Sequence, residues 1–461
     1  MERTTLSRRA FLTLAGAAGG SALLAACQAG TTAPTQAPAE ATEAPPEATE
    51  APPAAEAVTI EWWWGWTPDM LVNTLNAVAD KFTEHNPEIE VTTAQHEWGE
   101  KLLTAYAAGT PPDIHEHWLP MQFAARDLLQ PLDDRIATSS VISIDLMPEV
   151  SWTAGTWEGK RYIVPCLAYF AELALVVNPA VFQNAGLTTP DDVPTTYDGI
   201  FDQSVKYNEF DDAGNLNVVW MEPDKSLRYM PPSYGLTPYN ADEHKWTLTG
   251  DDWEAAVMSV ARFYTEFGPE KLDAFHEAYP GWIAVPGSAF ASDRLAMVTS
   301  GYWIPGELQT NAPDKEFVYT YPPTGGAATG KKVTHWGAHS VMIPQLSKHP
   351  DQAWKLTEYL CTNEAAEMIL EGCGWIGPMK TFWDVMDVNT FLGLDFFVND
   401  LAKNVEVATA NPPSPAIAFA FNSFSTDVTD AVIYGDKDAA TALADFEAAV
   451  NEEEQRLLEG D

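Results

Sequence analysis

Strand-like and helix-like segments alternate from Val58 onward, and this order constrains the fold more than any other feature of the sequence. Segments rich in β-formers are followed by segments whose apolar residues recur at helical spacing. The predicted strands and helices follow one another at residues 58–64, 68–85, 89–93, 98–108, 113 onward and 121–129. Such an alternation predicts an α/β fold with a parallel sheet and helical crossovers.

Four aromatic side chains stand at the ends of the first and third predicted strands. They are Trp64, Trp66, His117 and Trp118. Ligands of a parallel sheet bind beyond the carboxyl ends of its strands. We therefore expect these four side chains at one edge of the sheet, as the first candidate binding residues.

The rest of the chain gives weaker local signals. Residues 58–461 suffice for two lobes with separate cores or for one large α/β barrel. Residues 195–240 mix Tyr, Pro, Asp and Asn, and this composition predicts short helices and loops. A last helix is predicted over residues 437–459, with Leu443 and Phe446 on its apolar face and an acidic face in solvent.

The first 57 residues have a different composition from the rest. Arg8 and Arg9 precede a short Gly- and Ala-rich stretch that ends in Leu24-Ala25-Ala26-Cys27. An arginine pair before such a stretch predicts a twin-arginine export signal over residues 1–26. Small residues before a cysteine resemble a lipobox, in which the Cys27 thiol is acylated. A membrane-spanning anchor is the weaker alternative, because it needs about twenty strongly apolar residues.

Residues 27–57 are predicted to be a disordered tether of Ala, Pro, Thr and Glu. The heptapeptide EATEAPP occurs twice in succession, and alanine is the most apolar residue type in residues 28–57. Such a segment cannot offset its own ordering entropy. We therefore expect an exported protein that is lipid-anchored to the outer face of the cytoplasmic membrane, in a periplasm or at the cell surface.

Charge and cysteine content narrow the function further. The formal net charge of −41 argues against nucleic-acid partners, which need clustered Lys and Arg. Three cysteines follow Cys27 without a CxxC pair, so at least one thiol is free, and a Cys361–Cys373 bridge is possible after export. All seventeen tryptophans follow residue 57. They indicate either a large core or platforms for sugar rings.

Seven sequence blocks then occur in a fixed order. They are FTEHNPEIEV (82–91), LLTAYAAGTPPDI (102–114), LQPLD (129–133), WEGKRYIVP (157–165), VNP (177–179), FASDRLAM with GYW (290–303) and KHPDQAWKL (348–356). In this order they resemble the family 1 extracellular solute-binding proteins, the sugar-binding subunits of ABC importers that include maltose-binding protein. Three positions depart from the family pattern: Asp293 replaces a usual glycine, and Val177 and Pro179 replace a tyrosine and a lysine.

The resemblance implies a two-lobed, periplasmic-binding-protein-like (type II) α/β fold with hinge strands and a ligand cleft between the lobes. Lobe I would comprise residues 58–172 and 340–376, and lobe II residues 173–339 and 377–461. The implied function is that of a monomeric binding protein without cofactor or enzymatic activity. It would capture a neutral sugar or oligosaccharide by cleft closure and deliver it to an ABC permease in the membrane.

The resemblance also implies particular ligand contacts. Trp303, His117 and Trp118 match positions that contact sugar, and Glu172 matches a position where a ligand-binding carboxylate often sits. The full set of candidate ligand-binding residues is Trp64, Trp66, His117, Trp118, Tyr169, Glu172, Trp303, Trp336 and Trp375. Packing in the core is the alternative role of each.

Two other functions remain open. A secreted glycoside hydrolase would also be acidic and rich in tryptophan, and it needs two carboxylates about 5–10 Å apart. A metal-binding importer subunit could hold zinc with His115, His117, His335 and His339, although histidines also recognise hydroxyl groups. No metal site is expected. An anionic sugar would require a bidentate arginine, and the candidate loops contain none apart from Arg161 nearby.

Overall fold

Two mixed sheets of five strands each, within the described residues, form the framework of the protein in the computed structural model. The structure describes residues 57–96, 99–168, 171–281, 283–337 and 339–460. Cys27, with the predicted signal peptide and nearly all of the predicted tether, lies outside the described residues, and so does Tyr169.

The strands of the described residues are short to medium in length. They are β1 (Val58–Trp64), β2 (Ile89–Gln95), β3 (Ile114–His117), β4 (Thr156–Trp157), β5 (Lys160–Arg161), β6 (Val164–Ala168), β7 (Ala174–Val177), β8 (Glu209–Phe210), β9 (Leu216–Glu222), β10 (Tyr239–Asn240), β11 (Lys245–Trp246), β12 (Leu295–Ser300), β13 (Val318–Thr320), β14 (Val333–Trp336), β15 (His339–Met342) and β16 (Val407–Ala410).

Helices surround these strands. They are α1 (Asp69–His85), α2 (Glu100–Ala107), α3 (Met121–Ala124), α4 (Asp133–Thr138), α5 (Val150–Thr153), α6 (Pro179–Asn184), α7 (Tyr197–Tyr207), α8 (Met230–Tyr234), α9 (Asp251–Thr265), α10 (Pro269–Ala278), α11 (Ile304–Asn311), α12 (Pro350–Leu360), α13 (Asn363–Cys373), α14 (Lys380–Trp383), α15 (Ala402–Asn404), α16 (Ile417–Phe424), α17 (Ala431–Ile433) and α18 (Ala439–Leu458). None of the described helices combines the length and the apolarity that crossing a lipid bilayer requires.

The first sheet has the strand order β2-β1-β3-β15-β6. Strand β1 pairs in parallel with β2 and with β3, as the alternation of strands and helices predicts. Helix α1 joins β1 to β2 and buries Leu71, Leu75, Val78 and Phe82 on one face, which is the predicted apolar face. Strand β15 is antiparallel to both of its neighbours, so the complete sheet is mixed.

The second sheet has the order β13-β7-β12-β9-β8, and its inner strand β9 was not predicted. Residues 195–240 contain the seven-residue strand β9 and the eleven-residue helix α7, so the expectation of only short helices and loops is wrong. Five of the seven residues of β9 are buried, because the strand lies between β12 and β8. A strand that is covered on both faces lacks the polar alternation that identifies a half-exposed strand.

The chain passes between the two sheets twice along neighbouring paths. Strand β6 belongs to the first sheet and β7 to the second, while β14 is followed by β15, which returns to the first sheet. At these passages the Glu172 N–H donates to the His335 carbonyl at 2.7 Å, and Ala171 forms an isolated antiparallel bridge with Trp336. Backbone hydrogen bonds therefore join the two connecting segments to each other.

The predicted helix over residues 121–129 ends early. Helix α3 stops at Ala124, and Asp127 has a positive φ of 56°. The chain turns there because Leu129 bridges to Pro344 and the Gln130 N–H donates to the Ile343 carbonyl at 2.9 Å. Contacts with a segment more than 200 residues away thus override a local helical pattern.

The cysteines after Cys27 are free thiols. Cys166, Cys361 and Cys373 are all buried, and none is bridged to another. The Cys373 thiol donates to the Ile369 carbonyl at 3.1 Å, and burial raises its pKa to about 12. The Cys361–Cys373 bridge that the sequence allows is therefore not formed in this structure.

Helix α18 buries one member of its supposedly solvated acidic face. Glu454 is fully buried, whereas Leu443 and Phe446 face the core as predicted. Its carboxylate accepts hydrogen bonds from the Tyr239 hydroxyl at 2.7 Å, the Ser414 hydroxyl at 2.5 Å and the Ala416 N–H at 3.2 Å. Glu454 therefore connects α18 to strand β10 and to the loop before α16.

We expect Glu454→Ala to lower the free energy of unfolding by about 3 kcal/mol or more, because it leaves three buried donors without their acceptor. Denaturant unfolding measures this loss. Glu452→Ala, on the exposed side of the same helix, is the matched control and should change stability by less than about 0.5 kcal/mol. Equal effects of the two substitutions would show that the buried carboxylate is not an anchor.

Candidate functional site

An ion pair between Arg228 and Glu172 lies at the passage between the two sheets. The Glu172 side chain is 1% exposed and follows Ala171 in the connection from β6 to β7. Arg228 lies in the loop between β9 and α8, and its Nη2 donates to the Glu172 carboxylate. Burial raises the pKa of the Glu172 carboxyl, although the charge and the hydrogen bond of Arg228 oppose the rise.

Two glycines make room for this ion pair. A methyl group on Gly337 would lie 1.5 Å from Glu172 Oε1, so any larger residue would displace the carboxylate. A methyl group on Gly301 would lie 2.7 Å from the Glu172 carbonyl oxygen and 2.2 Å from the ring of Trp303. Glu172 is therefore enclosed between Gly337, which follows β14, and Gly301, which follows β12, with Trp303 beside it.

Aromatic rings cover the guanidinium group. The Arg228 Cζ lies 4.9 Å from the ring centroid of Trp118 and 5.4 Å from that of Tyr229. Cation–π contacts of this kind hold a guanidinium group in one plane. Trp118 follows β3 of the first sheet and Arg228 follows β9 of the second, so the contact joins segments of both sheets.

A second aromatic group lies next to the first. His339 stacks on Trp375 with centroids 5.1 Å apart, and Trp66 packs edge-on against both rings at 4.6 Å. Burial lowers the pKa of His339, and the positive charge of Arg228 lowers it further. His339 follows Gly337, which packs against Glu172, by two residues, so the two aromatic groups lie on neighbouring segments.

Glu116 supports His339 from inside the protein. Its carboxyl group is fully buried, and Oε1 lies 3.0 Å from Nδ1 of His339. Burial raises the pKa of Glu116 well above its usual range and lowers the pKa of His339 to about 3. His339 is therefore neutral at pH 7, and one of its ring nitrogens lies within hydrogen-bonding distance of the Glu116 carboxyl group.

A hydrogen-bonded chain connects the hinge to Trp118. The Asn411 amide donates to the Trp118 carbonyl at 3.1 Å, so its oxygen faces Nε2 of His335 at 3.0 Å. Nε2 must then carry the proton, and Nδ1 accepts from the Thr409 hydroxyl at 3.0 Å. Burial lowers the pKa of His335 to about 3, which keeps this neutral arrangement.

Two cavities flank the Arg228–Tyr229 segment. The first has a volume of about 330 Å³, and Arg228, His335, Asn411 and Phe421 contribute to its lining. The second has a volume of about 360 Å³, and Tyr229, Tyr264, Ser300 and Trp303 contribute to its lining. Each volume lies within the usual range for small-molecule sites.

The structure brings three predicted site residues together around Arg228. Trp303 is half-buried at the second cavity, and its ring folds over Gly301 beside Glu172. Glu172 pairs with Arg228, which lies over the ring of Trp118. Trp66 and Trp375 are buried and pack against each other and against His339.

Three other predicted site residues lie away from the cavities. Trp64 is 1% exposed and packs edge-on against Trp62 inside the first sheet. His117 is 2% exposed, and its Nδ1 accepts the Leu119 N–H at 2.9 Å. Trp336 is 6% exposed and packs on Val150. Trp64 belongs to the main hydrophobic core, whereas Trp336 packs outside it.

Sequence reasoning did not single out Arg228 or Asn411, and it named His339 only as a possible zinc ligand. The candidate loops contain no arginine apart from Arg161 nearby, and Arg228 comes from a different loop. Arg228 lies in a loop without a recognisable motif, and only the fold brings it to Glu172. Arg161, the nearby arginine in the sequence, instead pairs with Asp133 at 2.8 Å.

Zinc binding finds no support in the described part of the chain. No group of three or more His, Cys, Asp or Glu side chains converges there in a way that could hold a metal ion. His115 is bonded to the Tyr106 hydroxyl at 2.8 Å, while His117, His335 and His339 have the partners described above. The imidazoles that the metal hypothesis needs are thus used within the protein.

Buried neutral histidines should make stability fall as the pH falls. An unfolded histidine has a pKa near 6.5, so between about pH 6.5 and pH 3 the unfolded chain binds a proton that His335 does not. The free energy of unfolding should drop by about 2 kcal/mol between pH 7 and pH 5 for this residue alone. Denaturant unfolding at both pH values should therefore show a smaller loss for His335→Gln than for the unmodified protein.

The control for this experiment is His276→Gln. Nε2 of His276 donates to the Glu222 carboxylate at 2.8 Å, and this hydrogen bond raises the pKa of His276. Its contribution to stability is present below pH 6.5 and is lost as the pH rises, so the control should change the pH dependence in the opposite direction. Identical pH profiles for both variants would contradict the assignment of His335.

Comparison with known proteins identifies the family. A family model described as a bacterial extracellular solute-binding protein matches residues 77–387. A putative binding protein of Brucella abortus is 24% identical over 319 residues, which cover 66% of this chain and 72% of that protein. The match to the family model spans well over half of the chain.

Solved structures show the same fold. CpMnBP1 with mannobiose bound superposes with a TM-score of 0.75 and 18% identity, over 86% of this chain and 100% of that one. An ABC substrate-binding protein from Listeria monocytogenes in complex with cycloalternan gives a TM-score of 0.70 with 17% identity, over 86% and 99% of the two chains. The maltodextrin-binding domain MalE from Bdellovibrio bacteriovorus, bound to maltotriose, gives 0.67 with 18% identity, over the same shares.

These similarities confirm the predicted two-lobed α/β binding-protein fold. The sequence blocks, the two sheets and the matched family model all lead to one assignment. The chain belongs to the family of bacterial extracellular solute-binding proteins.

Proposed function

We propose that the protein is the extracytoplasmic substrate-binding subunit of an ABC importer for a neutral sugar or oligosaccharide. The observation that carries this proposal is the placement of Trp118 and Trp303 beside the buried Arg228–Glu172 ion pair, with a cavity on either side of the Arg228–Tyr229 segment. Indole rings stack on the C–H faces of sugars, while neighbouring polar groups bind the hydroxyls. The structural relatives named above carry mannobiose, cycloalternan and maltotriose, which are all sugars.

Closure of two lobes over the ligand is the proposed mechanism. The lobes are residues 58–172 with 340–376 and residues 173–339 with 377–461. Contacts between these two parts include Arg228 on Trp118 and the Thr310 hydroxyl on Met70 Sδ at 3.2 Å. A ligand held by both lobes favours the closed form over the open form. The closed monomer would then deliver its ligand to a membrane permease.

Binding without hydrolysis agrees with the hydrogen bonds and the ion pair of the buried Glu172 and Glu116 side chains. Glu172 is neutralised by Arg228, and Glu116 is hydrogen-bonded to His339 and to the Gly65 N–H. A glycoside hydrolase needs one carboxylate and one carboxylic acid that are both directed at the scissile bond. Neither of these groups is available in that way.

Membrane attachment is part of the proposal. The twin-arginine motif and the lipobox at Leu24-Ala25-Ala26-Cys27 support export with residues 1–26 removed and Cys27 acylated. Mass spectrometry of the N-terminus of the native protein should show an acylated cysteine. A mature chain that starts at an unmodified Gln28 or Ala57 would refute the lipid anchor.

A thermal-shift screen of sugars tests the binding function. At one hundred times the dissociation constant, a bound sugar should stabilise the protein by about 2.7 kcal/mol, and tryptophan fluorescence should change in the same titration. The oligosaccharides should be recovered uncleaved. If zinc alone raises the melting temperature and no sugar does, the metal hypothesis replaces this proposal.

Trp303→Ala locates the binding surface within the same screen. Loss of a stacking indole should weaken binding roughly thirtyfold, with little change in the melting temperature of the free protein. Trp63→Ala is the matched control, because Trp63 is also half-buried but faces Lys101 at 4.5 Å. Normal affinity together with a large loss of stability would return Trp303 to the core.

A further inference from the structure

We propose that Arg228 binds the ligand hydroxyls and that Glu172 cancels its charge, so that the pair selects uncharged sugars over anionic ones. This inference rests on the proposed sugar-binding function and assigns the charge class of the ligand to two residues. Glu172 is then a positioning residue that acts through Arg228, rather than the ligand-binding carboxylate that its sequence position implies.

Arg228 has N–H donors that the hydrogen bond to Glu172 does not use. A guanidinium group carries five N–H donors, and the hydrogen bond to Glu172 uses Nη2. The Arg228 Nε is buried without a hydrogen-bond partner within the described residues. A buried donor without an acceptor is costly, so a ligand oxygen at this position gains affinity. The same side chain lines the 330 Å³ cavity, so a ligand in this cavity would lie next to the guanidinium group.

The guanidinium group is held ready for binding. Trp118 and Tyr229 lie against it at 4.9 Å and 5.4 Å, and the Trp118 carbonyl is itself fixed by Asn411. Little side-chain entropy is then lost when a ligand binds. Two adjacent hydroxyls of a sugar match the fork of donors that such a group presents.

The charges around Arg228 leave no positive excess for an anion. Glu172 carries the opposite charge, and the charge of Asp224 also acts on Arg228. Lys225, at the second cavity, is paired with Asp430 at 2.7 Å. Burial keeps His335 and His339 neutral at pH 7. A ligand carboxylate would therefore meet Glu172 as a second negative charge on the same guanidinium group.

The substitution Glu172→Gln removes the negative charge of the side chain and nearly keeps its size. Glutamine has nearly the same size as glutamate, so it fits the space that Gly337 leaves, and its amide oxygen can still accept from Arg228. The substitution leaves the guanidinium charge uncompensated. We expect the affinity for uronates to rise at least about tenfold relative to that for neutral sugars, the factor of a charge-assisted hydrogen bond.

The probes are mannobiose and maltotriose as neutral sugars and glucuronate and digalacturonate as anionic ones, titrated by calorimetry at two salt concentrations. The unmodified protein should bind a neutral probe and bind both uronates at least about tenfold more weakly. In Glu172→Gln this preference should shrink or reverse, and the gained uronate affinity should fall with added salt. Asp133→Asn, which frees the guanidinium of Arg161 away from the site, should leave the preference unchanged.

A second variant tests the inference if the Glu172→Gln protein does not fold. Glu172→Gln combined with Arg228→Gln replaces the ion pair with a neutral amide pair. It should lose at least about tenfold in affinity for neutral sugars without gaining affinity for uronates. Unchanged neutral-sugar affinity in this double variant, or an unchanged preference in Glu172→Gln, would overturn the inference.

The two proposals fail in different ways. If the unmodified protein binds a uronate more tightly than every neutral probe, sugar binding stands and the role of Glu172 is wrong. If it binds neither class of sugar in the titrations and in the wider screen, the proposed function itself is wrong and the inference falls with it.

Discussion

The ion pair between Arg228 and Glu172 lies where the chain passes from one sheet to the other, and the candidate site is arranged around it. The Glu172 backbone is bonded to His335, its carboxylate occupies the space left by Gly337, and its charge is balanced by Arg228. A buried charge without its partner would cost several kcal/mol. Each residue therefore depends on the other, and the loop that carries Arg228 is tied to the hinge.

The surroundings of this pair are polar but almost uncharged. Burial keeps His335 and His339 neutral at pH 7, and it raises the pKa of Glu116 beside His339. Hydrogen-bond donors and aromatic faces then remain as the groups that a ligand can meet. This combination suits a molecule with many hydroxyl groups and no charge, although the protein as a whole carries a net charge of −41. The acidity of the chain lies mainly on its surface and says little about the ligand.

Local patterns predicted the parts of the fold that depend on local physics. The strand Val58–Trp64 and the apolar face of α1 follow from β-propensity and helical spacing, and both are confirmed. Strand β9 was missed because burial on both faces removes polar alternation, and Glu454 was misplaced because an acidic residue on a charged helix is usually exposed. Three long-range hydrogen bonds give Glu454 its buried position, and no helical pattern contains that information.

The sequence by itself determined the α/β class, the family and the residue types of the site. Motif order and strand ends are properties of neighbouring residues, so Trp66, Trp118, Glu172, Trp303 and Trp375 could be named as candidates from the sequence alone. Only the tertiary structure decided which residues meet. Arg228 reaches Glu172 across 56 residues, and His339 reaches Glu116 across 223. Such pairings depend on the packing of whole sheets, because only the folded backbone brings distant segments within hydrogen-bonding distance.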